Sequence, residues 1–139
     1  MRLTPTFWYV ATPYAKYPQG HHAAFVMASK VGALMVRHKV PAFVPIAHSH
    51  PIAMYGSLPL ENHDIWLPVD EPFIRIASGI VVVMAEGWNE SFGLAHERKA
   101  FAAAGKPETF LPWPFREGPL FAIAESAAQS APRRSDRRT

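Results

Sequence analysis

Residues 79–85, GIVVVMA, form an apolar run without polar alternation, and this run constrains the fold more than any other stretch of the chain. A strand with one face in water alternates apolar and polar residues. A strand that does not alternate has both faces covered, as in a parallel sheet flanked by helices. Two similar runs precede it, FWYVA at 7–11 and AFVPI at 42–46, and a weaker one, ETFLPW at 108–113, follows. Helical spacing fills the intervals. From His21 to about His38, Phe25, Val26, Val31, Leu34 and Met35 recur on a helical period. Within 89–107, Leu94, Ala95, Phe101 and Ala102 do the same, and Gly105 and Pro107 end the run. DEPFIRIA, 70–77, reads as a short helix with Asp70 as its N-cap and Pro72 in the first turn. A closing helix is expected over about 117–131. Strands alternating with helices predict an α/β fold: a doubly wound parallel sheet of about four to five strands in a flavodoxin-like or Rossmann-like three-layer sandwich.

The remaining segments are expected to be loops. TPYAKYPQG, 12–20, carries two prolines and a glycine. Residues 47–69 read as one long loop, with Pro51, Pro59 and Pro68 and the histidines His48, His50 and His63. Loops of this length in compact domains are functional or disordered. Leu58, Leu60, Trp66 and Leu67 give this one apolar residues with which to dock, so an ordered lid is expected. In open parallel sheets, ligands bind beyond the carboxyl ends of the strands. That rule singles out 12–20, 47–69 and 86–97, and the chemically unusual residues of the chain fall in these segments.

Composition narrows the function classes. Of 14 lysines and arginines and 11 acidic residues, four arginines and one aspartate fall in PRRSDRRT at 132–139, so the first 131 residues carry ten of each sign. A balanced body lacks the basic field of a nucleic-acid binder, and no nucleic-acid partner is expected. A single domain over 1–131 with a disordered basic tail over 132–139 is the simplest organisation. Without cysteine there are no disulfides, thiol nucleophiles or cysteine metal sites. No apolar run approaches the ~20 residues that span a bilayer, and the N-terminus lacks the zones of a signal peptide, so a cytoplasmic protein without a membrane partner is expected.

The order YVATPY, DEPFIRIASGIVVVM, SFGLAHE and GKP resembles the nucleoside 2-deoxyribosyltransferase superfamily, which also contains nucleotide N-glycoside hydrolases. The likeness covers roughly 8–107. Its most specific part is Ser-x-Gly-x-x-x-Glu at a strand-to-helix turn, and the PIAHSHPIA segment at 45–53 is similar to an uncharacterised bacterial and phage branch. The resemblance implies cleavage of the N-glycosidic bond of a nucleoside or nucleoside 5′-monophosphate without a cofactor. Glu97 would attack the anomeric carbon, and Asp70 would contact the base and help protonate it as it leaves. Ser91 would meet the sugar or phosphate, Gly93 would let the substrate approach the backbone, and Thr12 and Tyr14 would contact it from the first loop. A homo-oligomer, dimer or tetramer, is implied as well. The superfamily's transferases take polar and aromatic residues from a neighbour's C-terminus. APRRSDRRT offers nothing similar, so hydrolysis is expected ahead of transfer.

The chemistry of the residues agrees with these roles. Glycosidic cleavage passes through an oxocarbenium-like state that a carboxylate stabilises, and two carboxyl groups divide the work of nucleophile and acid. Other readings stay open. Glu97 alone would be a surface carboxylate, Asp70 a cap, and Ser91 a cap in a weak box. The crevice could bind a nucleotide without catalysis. His48, His50 and His63 with Asp64 could hold a metal for a hydrolase, although contacts from these side chains to the base or sugar are the stronger expectation. His96 should lie on the surface or at an interface. Trp66, Trp88 and Tyr55 could stack on a base. For a phosphate, Lys16, His21 or His22 would supply positive charge; otherwise the substrate lacks one.

Overall fold

The computed structural model describes residues 6–115. The expected closing helix and the basic tail lie outside them. Four strands form one parallel sheet: β1 (Trp8–Ala11), β2 (Ala42–Phe43), β3 (Gly79–Met84) and β4 (Glu108–Pro112). Their order is β2-β1-β3-β4, so the chain reverses its winding between β1 and β3. Tyr9 pairs with Ile80 and Val10 with Val81 at that junction. A sheet of this order opens a crevice between the loops that leave β1 and β3.

Pleating sends alternate residues of each strand to opposite faces. Trp8, Val10, Val81, Val83 and Leu111 pack with Met27, Val31, Leu34 and Met35 of α1 (His21–Arg37). Tyr9, Ala11, Ile80 and Val82 face the other way, against Ile74 of α3 (His63–Ile76) and Leu94 and Phe101 of α4 (Phe92–Ala103). The result is a three-layer α/β sandwich. Each fully buried side chain of this size contributes about 1.5–3 kcal/mol.

The sequence expectations fail between Val44 and Asp70. Residues 47–69 are not a long loop; they belong largely to two helices, α2 (Pro45–Gly56) and the first half of α3. The second strand stops at Phe43, because Pro45 opens α2 at a position where its missing N–H costs nothing. Inside α3, Pro68 and Pro72 stand four residues apart and both are exposed, and the carbonyls they leave without N–H partners belong to the exposed residues Asp64 and Pro68. Asp70 is consequently not an N-cap. Asn62 caps α3, its side chain accepting a hydrogen bond from the Asp64 amide at 3.0 Å, and Asp70 sits mid-helix.

Two details fix the helices that carry the candidate residues. Lys106, just beyond α4, donates from Nζ to the carbonyls of Ile74 and Arg75 at 2.9 and 2.6 Å, closing the end of α3. Gly87, with φ 87°, brings the loop after β3 onto the loop after β1: a Cβ there would stand 2.4 Å from the Lys16 carbonyl oxygen. No helix among the described residues is long and apolar enough to cross a membrane.

Candidate functional site

A crevice opens beyond the carboxyl ends of β1 and β3. Thr12 and Tyr14 come to it from the loop after β1, and Ser91, Gly93 and Glu97 come from the start of α4. Its other wall is built by the two helices that replace the expected loop, with Ser49, Glu61, His63, Trp66 and Asp70 among its residues. The expected lid segment thus borders the crevice as rigid helix.

Glu97 and Asp70 meet here, 27 positions apart in sequence and on different helices. Burial pushes the Glu97 carboxyl up to about 8; a hydrogen bond from Tyr9 opposes that rise and the Asp70 charge adds to it. Burial also raises Asp70, to about 6. Tyr9 is fully buried in the middle of the sheet, and its hydroxyl donates to Glu97 Oε2. Burial first, then the Glu97 and Asp70 charges, raise the Tyr9 pKa far above its ordinary value, so it remains a donor. The adjacent cation gives no relief. Arg98 turns to Glu108 at 2.6 Å and lies over the Trp88 and Phe110 rings. A desolvated carboxylate held by one hydroxyl is stabilised most by positive charge developing beside it.

The start of α4 is capped by Ser91, whose Oγ accepts from the Leu94 amide at 3.2 Å. Gly93 is open: a Cβ there would meet nothing within 4 Å. No packing requirement explains the glycine, and its bare backbone faces the crevice. Thr12 is 5% exposed, and its Oγ1 and Asp70 Oδ1 are buried without a hydrogen-bond partner among the described residues. Buried polar atoms normally find partners, so unpaired ones at a crevice wall indicate where a ligand would bond.

The structure brings Thr12, Tyr14, His63, Asp70, Ser91, Gly93 and Glu97 to the crevice and leaves His48, His50 and Asp64 outside its lining. His48 is exposed beside Phe43 and Phe73. His50 is buried, stacked on Phe25, and its Nδ1 lies 2.6 Å from the Tyr14 hydroxyl, so it reaches the crevice through that residue. His63 packs against Phe92. Among the described residues no three His, Asp or Glu side chains converge as a metal site would require. Trp66 borders the crevice with its indole N–H donated to the Pro59 carbonyl, whereas Tyr55 is 93% exposed and His96 is exposed. Tyr9 was invisible to sequence reasoning: strand alternation tells which face it takes and not that an acid 88 residues on awaits it.

No curated protein matches this chain significantly. Residues 6–111, which hold the whole sheet up to Leu111 and every crevice residue described above, match a family described as a domain of unknown function (DUF1937), and the chain belongs to that family.

Proposed function

We propose that the crevice cleaves the N-glycosidic bond of a nucleoside or nucleoside 5′-monophosphate, by hydrolysis ahead of sugar transfer. The observation that carries this reading is the pair of desolvated carboxyl groups, Asp70 and Glu97, delivered by separate helices to one crevice at the winding reversal of the sheet. The resemblance of the SFGLAHE stretch to the deoxyribosyltransferase superfamily supports the same chemistry.

Glu97, ionised and aligned by the Tyr9 hydroxyl, attacks the anomeric carbon as the base departs with a proton from Asp70. Water then opens the glycosyl ester, giving its proton to Asp70 and releasing Glu97. The reactive form needs the proton on Asp70, whereas in the free protein Glu97 titrates above it. The two groups titrate as a pair. Below about pH 6 both are protonated and the nucleophile is absent; above about pH 8 both are ionised and the acid is absent. Activity therefore peaks between those limits, and a developing sugar cation draws the pair toward the reactive arrangement.

The direct test is incubation with a panel of nucleosides and their 5′-monophosphates, with and without a second base, followed by chromatography. Release of free base and sugar is expected. Absence of base release from every member would end this reading.

A further inference from the structure

The charges of the crevice name its substrate more narrowly, and this step rests on the glycosidic reading above. Three carboxyl groups, Glu61, Asp70 and Glu97, stand in the lining, and among the described residues no lysine or arginine does. Of the other groups that can carry positive charge, His63 stands in the lining packed against Phe92, and the rest are elsewhere. Lys16 and His22 are exposed and outside the lining, and Lys106 is bonded to the end of α3. His21 is engaged by Glu61 itself. Burial, with His22 and His21 nearby, lowers the His50 pKa, which keeps that ring neutral. The N-terminus of α4 favours anions, but Ser91 already occupies its Leu94 amide.

What the crevice does offer is neutral hydrogen bonding. Thr12 Oγ1 is buried and unpaired among the described residues, on a side chain 5% exposed. Burial and Glu61 push the Tyr14 phenol up to about 12, so it stays a hydroxyl, steadied by His50 Nδ1 at 2.6 Å. Hydroxyls and amides of a ligand can be bonded by such groups. A phosphate dianion would instead face Glu61, Asp70 and Glu97 in a partly desolvated space without a lysine or arginine among the described lining residues.

We infer that the crevice takes an uncharged nucleoside and excludes its 5′-monophosphate, with the Glu61 carboxylate setting that preference and Thr12 and Tyr14 bonding the neutral ligand. Glu61 suits this role because it lies on the connection between α2 and α3, at the crevice wall and outside the reacting pair. Specificity then comes from repulsion of the wrong ligand as well as attraction of the right one.

The test is calorimetric titration of 2′-deoxyadenosine, 2′-deoxyguanosine, 2′-deoxycytidine and thymidine, and of their 5′-monophosphates, into full-length protein, with base release followed in parallel. At least tenfold tighter binding of the nucleoside is expected for whichever base is accepted, with the gap narrowing as salt screens the repulsion. Glu61→Lys should shrink or reverse the gap, and Glu61→Gln, which keeps the shape and needs no refolded surface, should narrow it. Equal or tighter binding of the monophosphate, with base still released, would overturn this substrate assignment and leave the glycosidic reading standing. An unchanged gap in Glu61→Gln would remove Glu61 from the role. Neither binding nor base release with any compound would remove both readings together.

Discussion

The two faces of the sheet are packed by different rules. On the α1 face, Trp8, Val10, Val81, Val83 and Leu111 meet Met27, Val31, Leu34 and Met35, and the contact is apolar apart from the Trp8 indole N–H, which is buried without a hydrogen-bond partner among the described residues. On the opposite face the same strands present Tyr9 toward Glu97, and α3 brings Asp70 alongside. One strand supplies both: Trp8 and Val10 to the first face, Tyr9 to the second. The difference teaches where this fold tolerates cost. A carboxyl raised to about 8 destabilises the folded state wherever it is ionised. The opposite face carries no ionisable group among its buried residues, with Tyr17 only partly buried at its margin, and can offset that cost.

The comparison breaks most sharply at Glu97. We expect Glu97→Gln to lower turnover by about 10³-fold or more while substrate affinity changes little, since the lost interaction exists mainly in the transition state. The same variant should be more stable than the parent. The folded pKa of Glu97 lies above its unfolded value, so its folded state gains from protonation, and that gain is lost as pH rises from about 4.5 through about 8. Melting curves from pH 5 to 9 check this: the advantage of Glu97→Gln must grow with pH.

Met35→Ala, on the other face, should show the reverse signature. Losing a buried methionine costs about 2–5 kcal/mol, measured by denaturant titration, while the pH limbs of the folded protein's activity stay where they were. A displacement of either limb would show that the faces are not independent.

Asp70→Asn should slow turnover by roughly 10²-fold for poor leaving bases and less for activated ones. Its pH profile should lose the alkaline limb and become a single rise, with a midpoint below about 8, because the Asp70 charge no longer raises Glu97. Tyr9→Phe acts in the opposite direction on Glu97. Removing the hydroxyl that favours the carboxylate moves the alkaline limb upward, and peak activity falls about tenfold if the limb moves by a factor of ten in proton concentration. An unmoved limb in Tyr9→Phe would reduce that contact to packing.

The smallest effect on stability is expected at Gly93. Alanine there meets no protein atom and improves helix propensity by up to about 1 kcal/mol, so melting should hold or rise. Ligand binding should weaken all the same, because the added methyl occupies crevice space. Unchanged affinity would leave the glycine unexplained.

Much of this architecture is readable in the chain because the relevant signals are local. GIVVVM has no alternation and becomes the central buried strand, and α1 runs over nearly the span that its apolar spacing marks. Helix α2 and the first half of α3 escape the same reading because Pro51 and Pro68 are strong breakers whose penalty depends on where the freed carbonyls point, which is a tertiary fact. The candidate site divides similarly. Glu97, Ser91 and Gly93 lie within seven residues of one another on one turn and carry a visible pattern. Tyr9 and Glu61 carry none, for their importance arises only when β1 and the α2–α3 connection fold beside that turn.

The lysine that follows α4 has a consequence for the geometry of the acid pair. Because Lys106 grips the last carbonyls of α3 from the turn that ends α4, the two helices share a common fixed point, and neither can slide along the sheet without the other. The helices that carry Glu97 and Asp70 are in this way tied together by a side chain outside the crevice lining.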